Sequence, residues 1–159
     1  MIIPAHYPIF VYYQHQYHMN PVAPEIEKRI HDSFGRQKLM TAYGAKISAI
    51  GHGYMEISLD PQDFLLRTSG IFHGGVLAAM ADTAAGYAAG TVHVNDASFL
   101  TVEFKINYLN QAKGTQLITR AKLLKSGFTL TVAQADLFTI EEGQERQVAT
   151  ALVTLMKAK

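Results

Sequence analysis

Small and apolar residues dominate the segment from Phe72 to Gly90, which helical periodicity predicts as a helix opening on His73-Gly74-Gly75. Asp82 is its only charged residue. The face that carries Asp82 consists otherwise of the smallest residues: Gly75, Ala78, Ala79, Ala85, Gly86 and Ala89. The remaining faces carry no charge, so we expect the helix to be buried nearly all round. Because a lone buried carboxylate is costly, Asp82 needs partners or a chemical role.

Alternating apolar and polar positions predict strands on both sides of this helix. The predicted elements are a short amphipathic helix over 24–35, strands over 43–50 and 54–59 joined by a hairpin turn at 51–53, a loop over 60–72 and a turn over 95–98. Four further strands are predicted over 102–108, 115–125, 129–139 and 147–156, separated by turns over 111–114, 126–128 and 141–143. Connections this short predict an antiparallel meander. A helix this apolar can be buried only if the curved sheet wraps round it. We therefore predict an α+β domain with a long central helix.

Chain length and composition indicate one domain over residues 25–159, since no shift in composition follows residue 25. Residues 1–24 contain no Asp, Glu, Lys or Arg, and we interpret them as an N-terminal extension of uncertain role. They lack the basic start and clean apolar run of a signal peptide, and Pro4 and Pro8 interrupt any membrane span.

The charge pattern favours small molecules or further subunits over nucleic acid as partners. The net charge is +1, only 17% of residues are charged, and the basic residues are scattered. The chain has no cysteine, which excludes disulfides, thiolate metal sites and thiol nucleophiles. We therefore expect no metal and no membrane association, and take the cytoplasm as the default compartment.

The pattern His73-Gly74-Gly75 followed by Asp82 resembles the signature of hotdog-fold acyl-CoA thioesterases, in the branch related to the phenylacetate-pathway (PaaI-like) thioesterase. Residues 101–114 and 124–127 are similar to that family's third strand and following turn, and the resemblance covers about residues 25 to 157. It implies a hotdog fold, hydrolysis of an acyl-CoA thioester, no cofactor beyond the coenzyme A of the substrate, and a homodimer or homotetramer.

Thioester hydrolysis needs a donor for the developing oxyanion and a group that activates water or attacks the carbonyl. The Gly74 N–H at the helix N-terminus is the candidate donor, and Asp82 is the candidate base or nucleophile. These residues are separated by about 12 Å along the helix axis, too far to serve one carbonyl within a protomer. A two-fold partner must then supply one of them, and in the family the site does lie at the dimer interface.

Three further residues are candidates for the catalytic site. His73 is an orienting or thioester-contacting residue, or else a helix cap. Arg67 stands where the family commonly carries Asn or Gln; an arginine can hold a carbonyl but orients a nucleophilic water poorly. Thr101 matches a hydroxyl residue that assists catalysis in some family members.

Four residues are candidates for substrate binding. Gly75 adjoins the proposed oxyanion donor, and Lys125, Ser126 and Gly127 resemble a turn that borders coenzyme A, where a lysine suits phosphate. Phe128 stands where the family often has a basic residue. Two alternative functions stay open: an acyl-thioester dehydratase, and a hotdog protein that binds acyl-CoA without catalysis.

Overall fold

The computed structural model describes residues 20–93 and 98–158, in which three helices accompany six strands. The helices are α1 (Pro24–Gly35), α2 (Lys38–Tyr43) and α3 (Gly74–Gly90). The strands are β1 (Lys46–Gly51), β2 (Tyr54–Leu59), β3 (Phe99–Tyr108), β4 (Leu117–Ser126), β5 (Leu130–Glu141) and β6 (Gln144–Lys157). A short 3₁₀ turn at Asp63–Leu65 interrupts the predicted loop. Most of the predicted turn at 95–98 and residues 1–19 of the predicted extension lie outside the described residues.

The strands form one antiparallel sheet in the order β1-β2-β4-β5-β6-β3. β4, β5 and β6 make the predicted meander. The prediction is wrong for β3, which pairs with β6 and not with β4. The free side of β4 is already taken by β2, whose residues 54–59 pair with residues 122–117 of β4. β3 therefore lies at the edge of the sheet in the described part of the chain, with one side of its backbone unpaired.

Helix α3 contacts β2, β3, β4, β5 and β6, so the sheet wraps round it as predicted. The residues of α3 that face the sheet include Leu77, Met80 and Ala84, each at most 1% exposed. The prediction of burial all round is wrong for the face that carries Asp82, since Asp82 and Gly86 are only partly buried. The sheet covers the apolar faces of the helix and leaves this one beside a cavity.

Helix α2 and the turn after it replace the first residues of a predicted strand. The predicted strand from Tyr43 is wrong at residues 43–45, because Lys38–Tyr43 is helical and β1 begins at Lys46. Met40 is fully buried and anchors the helix in the core. Gly44 ends it with a left-handed φ of 70°, which glycine adopts without steric cost, and its N–H binds helix carbonyls.

Two tight turns agree with the sequence prediction. β1 and β2 are joined through His52 and Gly53, where Gly53 has a φ of 72°. β5 and β6 are joined through Glu142 and Gly143, with φ values of 52° and 76°, and two such left-handed residues match the twist of an antiparallel hairpin.

Helix α1 lies across the C-terminal end of α3. Its predicted apolar face, formed by Ile26, Ile30 and Phe34, is buried in the core. Arg29 of α1 donates hydrogen bonds to the carbonyls of Gly90 and His93, at 2.8 and 2.7 Å. These bonds add partners to carbonyls at and just beyond the end of α3, where the helix hydrogen bonds run out, so α1 is fixed over one end of the central helix.

Candidate active site

The carboxylate of Asp82 is held by a hydroxyl group on the edge strand. Thr101 of β3 donates a hydrogen bond of 2.6 Å to Asp82 Oδ1. Oδ2 has no hydrogen-bond partner among the described residues. A short bond to one oxygen fixes the orientation of the carboxylate and leaves the second oxygen free to accept a proton.

A bulge in β3 directs Thr101 toward the helix. The pairing of β3 with β6 shifts register between Thr101 and Glu103, so Val102 is the extra residue. Thr101 contacts Asp82 on the inner side, whereas Glu103, two residues on, accepts a hydrogen bond from Thr154. In a regular strand residues two apart share a face, so the bulge separates them.

Asp82 and Thr101 line a cavity of about 380 Å³ between α1, α3 and β3, which we call the Asp82 cavity. Its wall is mixed in character: Ile30, Phe99 and Leu155 are apolar, whereas other lining residues carry hydroxyl, amide or guanidinium groups. The polar lining residues besides Asp82 and Thr101 include Arg29, Ser33, Gln37, Thr83, Tyr87 and Ser98. The volume is that of a site for a small organic group.

The N-terminus of α3 leaves one backbone donor free. His73 is the N-cap residue, and its Nδ1 accepts the Gly75 N–H at 3.0 Å. The N–H groups of Val76 and Leu77 donate to the His73 carbonyl, at 2.9 and 3.3 Å. In the described part of the chain, the Gly74 N–H is thus the one donor of the first turn without a partner. The helix dipole adds to its affinity for an anionic oxygen.

This arrangement makes His73 a helix cap, whereas contact between the other side of its ring and a thioester stays a prediction. Since Nδ1 accepts a hydrogen bond, the neutral ring carries its proton on Nε2. The cap also occupies the Gly75 N–H, so Gly75 is not available as a backbone donor to a substrate. Gly75 instead allows close packing, because a Cβ there would lie 3.1 Å from His73 Nδ1.

Gly74 lines a second cavity, of about 460 Å³, which we call the Gly74 cavity. Arg67 lies on its wall, at the start of a turn in which the Arg67 N–H donates to the Ile71 carbonyl at 2.8 Å. No hydrogen bond or ion pair joins the Arg67 guanidinium to another described residue, so its donors are free to act in the cavity. Arg67 is exposed, in the loop before α3, and it lines the same cavity as Gly74.

Tyr108 is a site residue that sequence reasoning missed. Its hydroxyl donates to the Gly74 carbonyl at 2.9 Å, and a Cβ added to Gly74 would lie 3.3 Å from its ring. Tyr108 therefore fixes the first peptide of α3 against β3. Only its position at the end of an alternating strand was visible in the sequence, and alternation does not reveal which helix a strand contacts.

The structure brings the candidates together in two sets and keeps the sets apart. Asp82 and Thr101 line one cavity, whereas Gly74 and Arg67 line the other. Helix α3 and the edge strand β3 run side by side in opposite directions. The hydrogen bond from Thr101 to Asp82 joins them at one end, and the hydrogen bond from Tyr108 to the Gly74 carbonyl joins them at the other. Asp82 and Gly74 lie eight residues apart on α3 and line different cavities of one chain, and their roles as acid and oxyanion donor stay predictions.

Lys125, Ser126 and Gly127 lie at the turn between β4 and β5, outside both cavities of the single chain. Lys125 and Ser126 are exposed. The Gly127 N–H donates to the Leu130 carbonyl at 3.0 Å, so it is not free to donate to coenzyme A. A Cβ at Gly127 would lie 2.6 Å from that carbonyl oxygen, so this glycine is explained by the tight turn.

Residues 20–93 and 98–158 contain no group of three or more His, Asp or Glu side chains that could hold a metal ion. Among the helices of those same ranges, none combines the length and hydropathy needed to cross a membrane.

Comparison with known proteins identifies relatives of this chain. Residues 69–145 match the profile of the family described as the thioesterase superfamily. A crystal structure of a thioesterase family protein from Silicibacter pomeroyi is 39% identical, with a TM-score of 0.81 over 83% of this chain and 97% of that chain. A Saccharolobus solfataricus protein that carries the name of an esterase is 26% identical over 126 residues, which are 79% of this chain and 81% of the relative.

The E. coli PaaI protein from the phenylacetic acid degradation operon has the same fold, with a TM-score of 0.75 over 85% of this chain and 94% of that chain. Its identity to this chain is 18%, so it speaks for the fold alone. These structures confirm that the α+β architecture described above is the expected hotdog fold.

Proposed function

Because this chain belongs to the thioesterase superfamily, we propose that it hydrolyses an acyl-CoA thioester to a free acid and coenzyme A. The observation that carries this proposal is the free Gly74 N–H at one end of the α3–β3 pair, with the half-paired Asp82 carboxylate at the other. An oxyanion donor and a base are the two groups that thioester hydrolysis requires. We assign Gly74 and Asp82 to these roles.

A second copy of the chain can bring these groups together at the free edge of β3. Antiparallel pairing of two copies of β3 about a two-fold axis sets the Thr101 end of one strand near the Tyr108 end of the other. Since Thr101 binds Asp82 and Tyr108 binds Gly74, the acid of one chain then lies near the oxyanion donor of its partner. The minimal active unit is a homodimer with two such sites, and a tetramer would be two of these dimers.

The charges on β3 suit this pairing. Glu103 and Lys105 flank Phe104, and both are exposed. A two-fold axis through Phe104 places each Glu103 opposite the Lys105 of the partner, and cross-strand pairs of opposite charge are stabilising. The same register sets Thr101 of one chain near the Tyr108 end of the partner strand.

In the proposed reaction, Asp82 removes a proton from water as the water oxygen bonds to the thioester carbonyl carbon. The carbonyl electrons move to its oxygen, which accepts a hydrogen bond from the Gly74 N–H of the partner subunit. The carbonyl then reforms, the C–S bond breaks, and the thiolate of coenzyme A takes up the proton that Asp82 removed, which returns Asp82 to its ionised form. If Asp82 attacks the carbonyl directly, water hydrolyses the resulting anhydride to the same acid. Thr101 fixes the carboxylate in both routes.

Arg67 marks this chain as different from the common family pattern. With five N–H donors and no acceptor, its side chain can hold the thioester carbonyl beside the Gly74 N–H, but it cannot orient a water by accepting its proton. We assign it the first role. We further infer that Lys125 and Ser126 contact the phosphates or pantetheine arm of coenzyme A, where a lysine acts as a point charge, and we keep the cytoplasm as the expected compartment.

Thiol release from a panel of short, long and aryl acyl-CoAs tests the proposal. We expect turnover of at least one member, with a kcat/KM of about 10⁴ M⁻¹s⁻¹ or more. The same panel is measured for binding by calorimetry. Binding of acyl-CoA without thiol release from any member would replace the proposal with a non-catalytic binding function.

A further inference from the structure

A pair of hydroxyl groups lies on the wall of the Asp82 cavity, on the two helices that enclose it. Ser33 Oγ of α1 and the Tyr87 hydroxyl of α3 are 3.2 Å apart, and either can be the donor. Tyr87 is only 9% exposed, and its ring contacts Phe34 edge to face with centroids 5.4 Å apart. The helical periodicity of the sequence places Tyr87 in the core and gives no sign of this polar contact.

The two hydroxyls have one more donor than they use. Each hydroxyl carries one proton and two acceptor lone pairs, and the single bond between them uses one of the two protons. Neither group has another hydrogen-bond partner in the part of the chain that the structure describes. The pair is part-buried on the cavity wall, so a ligand group in the cavity that accepts the spare proton gains a hydrogen bond there.

The position of the pair relative to Asp82 fits the far end of an acyl group. Tyr87 follows Asp82 by five residues, about 7.5 Å along the axis of α3. Gly86, between them in sequence, also lines the cavity, and a Cβ added there would meet no atom within 4 Å. An alanine at that point would favour the helix, so packing within the chain does not explain the glycine, and the space beside it is open to an acyl group.

We propose that the Asp82 cavity takes the acyl group of the thioester and that the Ser33–Tyr87 hydroxyl pair binds a hydrogen-bonding group at the far end of that acyl group. This inference rests on the proposed function, because it takes Asp82 as the residue at the thioester. The substrate class is a compact acyl-CoA with a terminal hydroxyl or carbonyl. A plain alkyl chain leaves the free donor unpaired, and a site built to bind a hydroxyl disfavours the analogue that lacks it.

Binding of matched acyl-CoAs to a non-hydrolysing protein tests the inference. The probes are 4-hydroxybutanoyl-, 6-hydroxyhexanoyl- and 8-hydroxyoctanoyl-CoA, each beside its plain alkyl counterpart, titrated into the Asp82→Asn protein by calorimetry. We expect one hydroxylated probe to bind about tenfold more tightly than its counterpart. Adding Tyr87→Phe, which keeps the ring contact with Phe34, should reduce that ratio to about threefold or less. Adding Ser33→Ala as well should abolish the preference, so that both probes bind with equal affinity.

Gly86→Ala serves as the control for the volume of the cavity. It adds one methyl group where the chain leaves space, so it should weaken both members of the best pair alike and keep their ratio. Melting curves of each variant establish that it is folded. If Tyr87→Phe does not fold, the Ser33→Ala protein alone gives the same test of the ratio.

The outcomes separate this inference from the proposed hydrolysis. Equal affinity within every pair of probes, or a preference that survives in the Ser33→Ala, Tyr87→Phe double variant, overturns the inference. Thiol release by the wild-type protein in that case leaves the proposed hydrolysis intact. A preference that is lost in the double variant supports the inference even if the wild-type protein releases no thiol, and it is then the hydrolysis that fails.

Discussion

Asp82 on α3 and Glu56 on β2 are both partly buried carboxylates, and the chain surrounds them in opposite ways. Glu56 accepts bonds from Arg120 Nε at 2.7 Å and from the Tyr54 hydroxyl at 3.1 Å, and Arg120 also binds Glu145 through two bonds of 2.8 and 2.6 Å. Asp82 accepts one bond, from Thr101, and lines a cavity. A carboxylate paired with a guanidinium contributes to the stability of the fold. A carboxylate that has only a neutral hydroxyl partner and lines a cavity is available for chemistry.

The difference between the two carboxylates is tested most strongly by replacing each one with the amide of the same size. We expect Asp82→Asn to lower kcat about 10³-fold, because it removes the base, with little change in melting temperature. Glu56→Gln should do the reverse, lowering the melting temperature and leaving the turnover of the folded protein near wild type. Thiol release measures the turnover of both variants, and thermal melting measures their stability. Asp82→Asn activity within tenfold of wild type would remove Asp82 from the catalytic role.

The free donor at the start of α3 can be removed without disturbing the helix. Proline at position 74 lacks the N–H, and His73 has φ −68° and ψ 139°, a conformation that a residue before proline adopts readily. We expect Gly74→Pro to lower kcat about 10²-fold or more. Gly74→Ala is the matched control, since its Cβ meets the same Tyr108 ring at 3.3 Å but the N–H is kept. Equal activity in the two variants would show that the N–H is not used.

Replacing Thr101 tests whether the single bond to Asp82 matters for turnover. Thr101→Val keeps the branched shape and removes the donor, so we expect kcat/KM to fall about tenfold through loss of carboxylate orientation. Thr101→Ser restores the hydroxyl and should recover most of the activity. A Val variant as active as the Ser variant would assign Thr101 a purely structural role. Steady-state kinetics of the two proteins make the comparison.

The smallest expected effect is on stability, in the paired network of Arg120. Arg120→Met leaves two carboxylates without their partner, and we expect a loss of about 1–2 kcal/mol, reduced by the solvent exposure of the pair. Urea unfolding measures it. Lys28→Ala, which breaks the exposed Lys28–Asp32 pair, is the control and should cause no measurable loss.

The pH dependence of this loss has a definite sign. Hydrogen bonds from Arg120 hold the pKa of Glu145 below its ordinary value of 4.5. Stabilisation by the pair is therefore complete above the unfolded pKa and disappears as the pH falls through the lower folded pKa. The difference between wild type and Arg120→Met should shrink below about pH 4. A difference that stays constant from pH 7 to pH 3 would contradict this assignment.

Much of the fold could be predicted because it follows from local rules. Periodicity identified α1 and α3, the residues Glu142 and Gly143 fall in a predicted turn, and the apolar composition of α3 required a sheet wrapped round it. The position of β3 was not predictable in this way. Alternation shows that a strand has one buried face but not which strand lies beside it, and the pairing of β2 with β4 excluded the simple meander.

The candidate site was predictable where one element supplies it. Gly74 and Asp82 lie on one helix, so helix geometry alone gave their separation. The partners of these residues come from elsewhere: Thr101 reaches Asp82 because a bulge at Val102 turns it inward. No single-residue pattern in a strand reveals a bulge, since its register depends on the neighbouring strand. The Ser33–Tyr87 contact was also missed, because it depends on how two helices pack against each other and not on the pattern within either one.

The central claim is that one chain supplies the acid and its partner the oxyanion donor. The most direct measurement mixes Gly74→Pro and Asp82→Asn chains that carry different tags, and purifies the doubly tagged heterodimer. One of its two sites then contains both lesions and the other contains neither. We expect each parent variant to be inactive and the heterodimer to recover roughly half the wild-type turnover per dimer, if the sites act independently. A folded heterodimer as inactive as its parents would contradict the shared site.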